Sequence, residues 1–202
     1  TNPLAHAVHA GLAIAGIDEV ADIAEVTTEL RRAHDIQADD TTFLRIDPVA
    51  AGPAVVCALT TTAPAQPSPW VEISGPGGSH RLFYTEDRSV RTLADGTVEE
   101  LTHERMDLME NLIDHVRDRE VALLSPLAAT GVFSAVLEAI QSVPDPLPIG
   151  EDWVHWHGED ELAYPTIEGL DEAMTRALAT GRPFSELGVP WAREDAVATW
   201  AP

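Results

Sequence analysis

The chain contains no lysine. All twelve of its basic residues are arginines, set against 34 aspartates and glutamates for a net charge of −22 over 202 residues. Schiff-base and general-base chemistry by lysine is therefore excluded for every side chain present. So strong a negative balance repels phosphate backbones and anionic lipid, which argues against nucleic-acid and membrane partners. Cysteine is almost absent too. Cys57 stands alone, so no internal disulfide can form, and its place in a strand pattern predicts a small buried hydrophobe in a reducing, cytoplasmic setting. No apolar run approaches the about 18–20 residues of a membrane span, and no secretory signal is visible. A P-loop, a G-x-S-x-G elbow and zinc-ligand cysteine pairs are all missing.

What is present reads as an α+β domain. Hydrophobic content of 45% excludes global disorder. From Asp22 to Leu101 the chain alternates with period two: first in Ala24, Val26, Thr28 and Leu30, then in Thr42–Ile46, Val55–Thr62, Trp70–Ser74, Arg81–Thr85, Ser89–Leu93 and Val98–Leu101. Turn signals separate these runs, among them Pro64–Pro69, Gly75-Pro-Gly-Gly78 and the hairpin dipeptide Asp95-Gly96. Connections so short require mainly antiparallel pairing. The expectation is one large, mainly antiparallel open sheet with helices packed on one face.

Those helices lie at both ends. Asn2–Gly16 places Leu4, Val8, Leu12 and Ala15 near one stripe, with Asn2 as N-cap, Pro3 at N1 and Gly16 as the stop. Thr1 directly precedes that cap, and an upstream part is expected to have been removed. Met106, Met109, Leu112, Ile113 and Val116 mark a second helix, capped by Thr102, with the methionines as core filler. Ser125-Pro126 opens a third, and the two form an αα-hairpin across the sheet. Beyond Glu151 come a brief alternation at Trp153–His157, a helix at Ile167–Leu178 and an arm, Leu187–Trp191, that docks an aromatic. Residues 1–150 read as the main domain and 151–202 as an extension packed on it.

The glycine cluster Gly75–Gly78 is followed by a strand, whereas a dinucleotide fingerprint opens a helix, so it reads as a turn. His6 and His9, three apart on the first helix with Asn2 one turn earlier, are the most suggestive polar set. They admit either a histidine site or a helix carrying two partly exposed imidazoles. A metal at this pair lacks a third ligand, unless His155, His157 and Glu159 supply one.

Three stretches, in this order, resemble a known family. They are Asn2-Pro-Leu-Ala-His6-Ala-Val-His9, then Val71-Glu-Ile-Ser-Gly75 leading to Gly78, then Glu110-Asn-Leu-Ile-Asp114-His-Val followed by Ser125-Pro126 and 135–142. Together they resemble the C-terminal domain of the Gfo/Idh/MocA (glucose–fructose oxidoreductase / inositol dehydrogenase-like) family, over residues 2–150. There a Rossmann half precedes a D-x-G-x-H-x-x-D motif at a helix start. Asn2 falls at the first Asp, Leu4 at the Gly, His6 at the His and His9 at the last Asp, so only His6 is identical.

The resemblance implies a substrate-binding and oligomerisation domain of an NAD(P)-dependent oxidoreductase acting on a sugar, polyol or related hydroxyl compound. It implies His6 as the catalytic group at the hydroxyl that loses its proton, with Asn2 and His9 binding substrate. NAD or NADP would be bound mainly by an N-terminal half, which would also supply the family's lysine. A homo-oligomer is expected through the open sheet face. The alternative is a non-catalytic module for sheet-mediated dimerisation or interaction.

Overall fold

The computed structural model describes every residue except Thr1, Gln66, Glu194 and Asp195, and the side chains of all the others except Asn2, Pro3, Leu4 and Glu161. In chain order its main elements are α1 (Asn2–Ala15), β1 (Ile23–Arg32), β2 (Thr41–Pro48), β3 (Val55–Thr60), β4 (Val71–Gly75), β5 (Gly78–Phe83), β6 (Arg88–Leu93) and β7 (Val98–Thr102). Then follow α2 (Leu108–Arg117), α3 (Gly131–Ser142), β8 (Leu147–Pro148), β9 (Val154–His157), β10 (Tyr164–Ile167), α4 (Leu170–Thr180) and β11 (Val197–Trp200). This is the α+β class with antiparallel sheets, but the strands divide among three sheets. One runs β11-β1-β2-β3, with β8 beside β1; β4-β5-β6-β7 is a separate meander; and β9 pairs β10. The break falls between β3 and β4, where Pro64, Pro67 and Pro69 lack the N–H groups that a continuing ladder needs.

Two compact units result. Thr1–Gln66 with Val132–Pro202 forms the first, and Pro67–Gly131 the second. Neither limit falls at residue 150, and residues beyond it build part of the first unit. β11 pairs antiparallel with β1, opposing Trp200 to Val26.

Both faces of the five-stranded sheet are covered, not one. Alternation along β2 points Leu44 and Ile46 to one side and Phe43 to the other. Leu44 and Ile46 join Val26, Val55, Cys57, Val8 and Leu12 of α1, and Val136 and Ile140 of α3. Phe43 joins Leu170, Ala173 and Ala177 of α4, together with Phe184, Val189 and Trp191. The expected arm does dock an aromatic: Phe184 lies edge-on to Phe43 and 5.1 Å from the Trp191 ring. This second layer occupies the face that was expected to remain open for association.

Glu29 and Arg31 fasten that layer to the sheet. Both are fully buried, and Glu29 Oε1 accepts from Arg31 Nε at 2.9 Å and Nη2 at 2.7 Å. Glu29 Oε2 accepts from the backbone N and Oγ of Ser185, at 3.0 and 3.1 Å, and Arg31 Nη2 donates to the Ala192 carbonyl.

In the second unit, β4 and β5 meet in a two-residue turn with Gly75 opposite Gly78. A Cβ on Gly78, at φ +122°, would lie 2.0 Å from the Thr92 carbonyl oxygen, so only glycine fits. Asp95-Gly96 does turn β6 into β7, with Gly96 alone at positive φ: Leu93 N–H reaches Thr97 O, and Asp95 Oδ1 accepts from Thr97 N. Asp107, not Thr102, caps α2, accepting from the backbone N–H groups of Met109 and Glu110. The Met106 and Met109 side chains are exposed rather than core. α2 and nearly all of α3, which were expected to pair as an αα-hairpin, fall in different units.

Cys57 is buried, and burial pushes its thiol up to about 12 from an ordinary 9.0. The folded chain favours the protonated thiol. Its contribution to stability is therefore whole below pH 9.0 and falls as the pH rises toward about 12. In native protein at pH 8 the thiol should resist a disulfide reagent that titrates it fully in urea. A second expectation concerns the buried pair: Glu29→Ala strands the Arg31 guanidinium and should cost about 3–5 kcal/mol in urea unfolding.

Candidate functional site

The first helix carries the histidines singled out by sequence. It packs closely on the sheet because Gly11 faces Val55, where a Cβ would sit 2.8 Å from Cγ1. Val8 and Leu12 are buried beneath it, and Gly16, at φ +69°, ends it. On this fixed helix His6 is exposed, and no described residue hydrogen-bonds to it. An exposed, unengaged imidazole can accept a proton from a ligand approaching the helix. His9 is half-buried, its ring edge-on to Phe133 at 6.2 Å. The Asn2 side chain lies outside the described residues. Thus the structure places His6 and His9 on one helix but gives them different surroundings: solvent for the first, the α3 ring for the second.

A more constrained histidine escaped the sequence reading. Where β1 turns toward β2, the Asp40 carboxylate is 2% exposed, and its Oδ2 accepts from Ala33 N, His34 N and His34 Nδ1, each at 2.8 Å. Its Oδ1 accepts from the Thr41 hydroxyl at 3.2 Å, which in turn meets the hydroxyls of Thr60 and Thr62, both at 3.1 Å. With Nδ1 committed as donor, the His34 ring presents Nε2 as its acceptor atom. The ring is 29% exposed and lies perpendicular to Trp156 at 5.9 Å. In sequence the doublet Asp39-Asp40 has the composition of a turn. What could have exposed the dyad is the spacing of His34 and Asp40 across a tight β1–β2 connection.

Other histidines serve the fold. In the meander, the buried Ser89 hydroxyl lies 2.7 Å from His80 Nε2 and 2.8 Å from His103 Nε2, so it donates to one ring and accepts from the other. His157 stacks on Tyr164 and reaches the Thr166 hydroxyl, while His155 faces Glu168 at 3.3 Å. Among the described residues no three His, Cys, Asp or Glu side chains gather as a metal site. A shallow depression of about 260 Å³ lies over the meander, lined by Glu72, Ser79, Arg81, Phe83, Val90 and Thr92, without a histidine. Among the described residues no helix is long and apolar enough to cross a membrane.

The one glycine cluster does not fit a dinucleotide's pyrophosphate. Gly75–Gly78 closes a β-hairpin and no helix starts from it, so its N–H groups cannot cradle a pyrophosphate at a helix N-terminus. No protein-family model matches the chain, and no curated protein matches it.

The Asp40 contacts dictate the state of His34. In its neutral form the ring should appear as the Nδ1–H tautomer in proton–nitrogen correlation spectra. Asp40→Ala should remove that preference and lower stability by at least about 2 kcal/mol, since several donors lose a charged acceptor.

Proposed function

We propose that this chain is the substrate-binding and oligomerisation domain of an NAD(P)-dependent oxidoreductase acting on a sugar, polyol or related hydroxyl compound. The observation that carries the reading is His6. It stands exposed on a helix pinned to the sheet by Val8 and Leu12, at the register where the family resemblance puts the histidine that meets the reacting hydroxyl. Its imidazole orients that hydroxyl or takes its proton, as imidazole side chains do in general acid–base catalysis. Asn2 in place of the family's first aspartate keeps a hydrogen-bonding group without the charge. His9, half-buried against Phe133, holds the helix and makes a secondary contact to substrate. The dinucleotide is held outside these residues, and no step on this chain runs through it.

A second reading, a non-catalytic interaction module, is favoured by one observation: the apolar side of α2 is exposed along its length.

The two readings part on a pair of variants in the protein carrying both halves. His6→Ala should lower kcat by about 10²–10⁴-fold with less than about 1 kcal/mol lost in stability. His9→Ala should show the opposite balance, a lowered melting temperature with smaller change in kcat. An unchanged kcat for His6→Ala would remove His6 from the mechanism.

A further inference from the structure

Helix α2 uses its polar side and leaves its apolar side uncovered. Asn111 donates from Nδ2 to the Ala122 carbonyl and accepts from Leu124 N, while His115 Nδ1 meets the Val121 carbonyl at 2.6 Å. These contacts bind the segment 121–124 along the polar flank. Across the helix Leu108, Met109, Leu112, Ile113 and Val116 are 58, 63, 44, 40 and 60% exposed. No residue of α2 is buried. Five adjacent apolar side chains facing water along one short helix mark a surface made to be covered.

We infer that a second copy of this chain covers it, with two α2 helices pairing antiparallel about a two-fold axis between Leu112 and Ile113. The stripe suits that symmetry: about that midpoint Met109 meets Val116, Leu112 meets Ile113, and Leu108 lies level with the aliphatic stem of Arg117. The charges agree with this register. Glu110 and Arg117 fall on the same flank of the stripe at 100° per residue. In the antiparallel pair Arg117 of one copy comes within about 3 Å, along the axis, of Glu110 of the other. Within its own chain Arg117 makes only a loose 3.7 Å contact with Asp114, both side chains being largely exposed.

Met106 before the helix and Leu124 beside Asn111 are also exposed and extend the patch. Even so, one short helix falls below the about 800 Å² per subunit of a standard interface, which points to micromolar association. Each copy carries −22, so added salt should strengthen the dimer by screening mutual repulsion. This interface holds whether or not the chain serves an oxidoreductase.

Sedimentation velocity of the whole chain between about 1 and 100 μM tests it. A monomer–dimer equilibrium is expected, tightening with salt. Leu112→Asp or Val116→Asp should weaken it at least about tenfold. Circular dichroism melting should leave both variants folded, because neither side chain is buried. Arg117→Glu and Glu110→Arg should each weaken association about fivefold, and the double variant should recover it. A monomer throughout the range, or a dimer indifferent to both aspartate variants, would overturn the interface. Failure of the double variant to recover would overturn the antiparallel register. So would a basic amphipathic peptide that binds the stripe while the chain stays monomeric.

Discussion

Glu29 has no water to fall back on. Both of its carboxylate oxygens are taken up inside the protein, one by the Arg31 guanidinium and one by Ser185. A buried carboxylate is tolerated only when such partners are complete. The requirement spreads outward. Arg31 must stay beside Glu29 on β1, and residues 184–192 must return to the sheet to supply Ser185 and the Ala192 carbonyl. Phe184 and Trp191 are thereby carried onto Phe43, and the second apolar layer closes around them. An antiparallel sheet whose far face could have faced water is thus enclosed on both sides.

The same accounting governs the turn at the end of β1. Asp40, one half of a charged doublet in sequence but almost wholly buried, collects backbone and imidazole donors on a single oxygen. Thr41, Thr60 and Thr62 complete the set with hydroxyls that can serve as donor and acceptor at once. Here a polar cluster orders a loop whose apolar anchoring is slight, since Ala33 packs against the second core but Ile36 is exposed. His6 is the opposite case. Its helix is held from beneath by aliphatic contacts, and the imidazole is left to whatever approaches from solvent.

Much of the fold was legible because local rules and tertiary structure agree. Strand periodicity located every strand from β1 to β7, and Asn2–Gly16 was readable from its stripe and its glycine stop. The places where reading failed share one cause: they depend on partners distant in sequence. Nothing local in Ile23–Arg32 reveals that Glu29 and Arg31 belong inside, since period two assigns them to a wet face until residues 184–192 arrive. The apolar stripe of α2 looks the same on paper whether it is core or surface, and Met109 proved to be surface. The His34–Asp40 dyad was hidden for a related reason. An Asp-Asp doublet has the composition of a solvated turn, and only the backbone path shows one of the two carboxylates pointing inward. His6 and His9, by contrast, were singled out by their helical spacing and by a motif register, and the structure leaves the first in solvent.

The pairing of β1 with β11 has a consequence for the order in which the chain can acquire its structure. Val26 and Trp200 are neighbours across a ladder, yet the whole second unit is threaded between the two segments that build the first. On a ribosome β1 would emerge early and wait, one edge bare, until the last strand is made. The Glu29 carboxylate would wait with it for Ser185. Contacts of such long sequence separation are slow to form, and unpaired strand edges are sites where nascent chains stick to one another. The meander, with a tight turn at Gly78 and neighbour-to-neighbour pairing throughout, has no such dependence and could assemble first. Loss of Val197–Trp200 alone would then be more damaging than its length suggests, because it removes the strand that closes the free edge of β1.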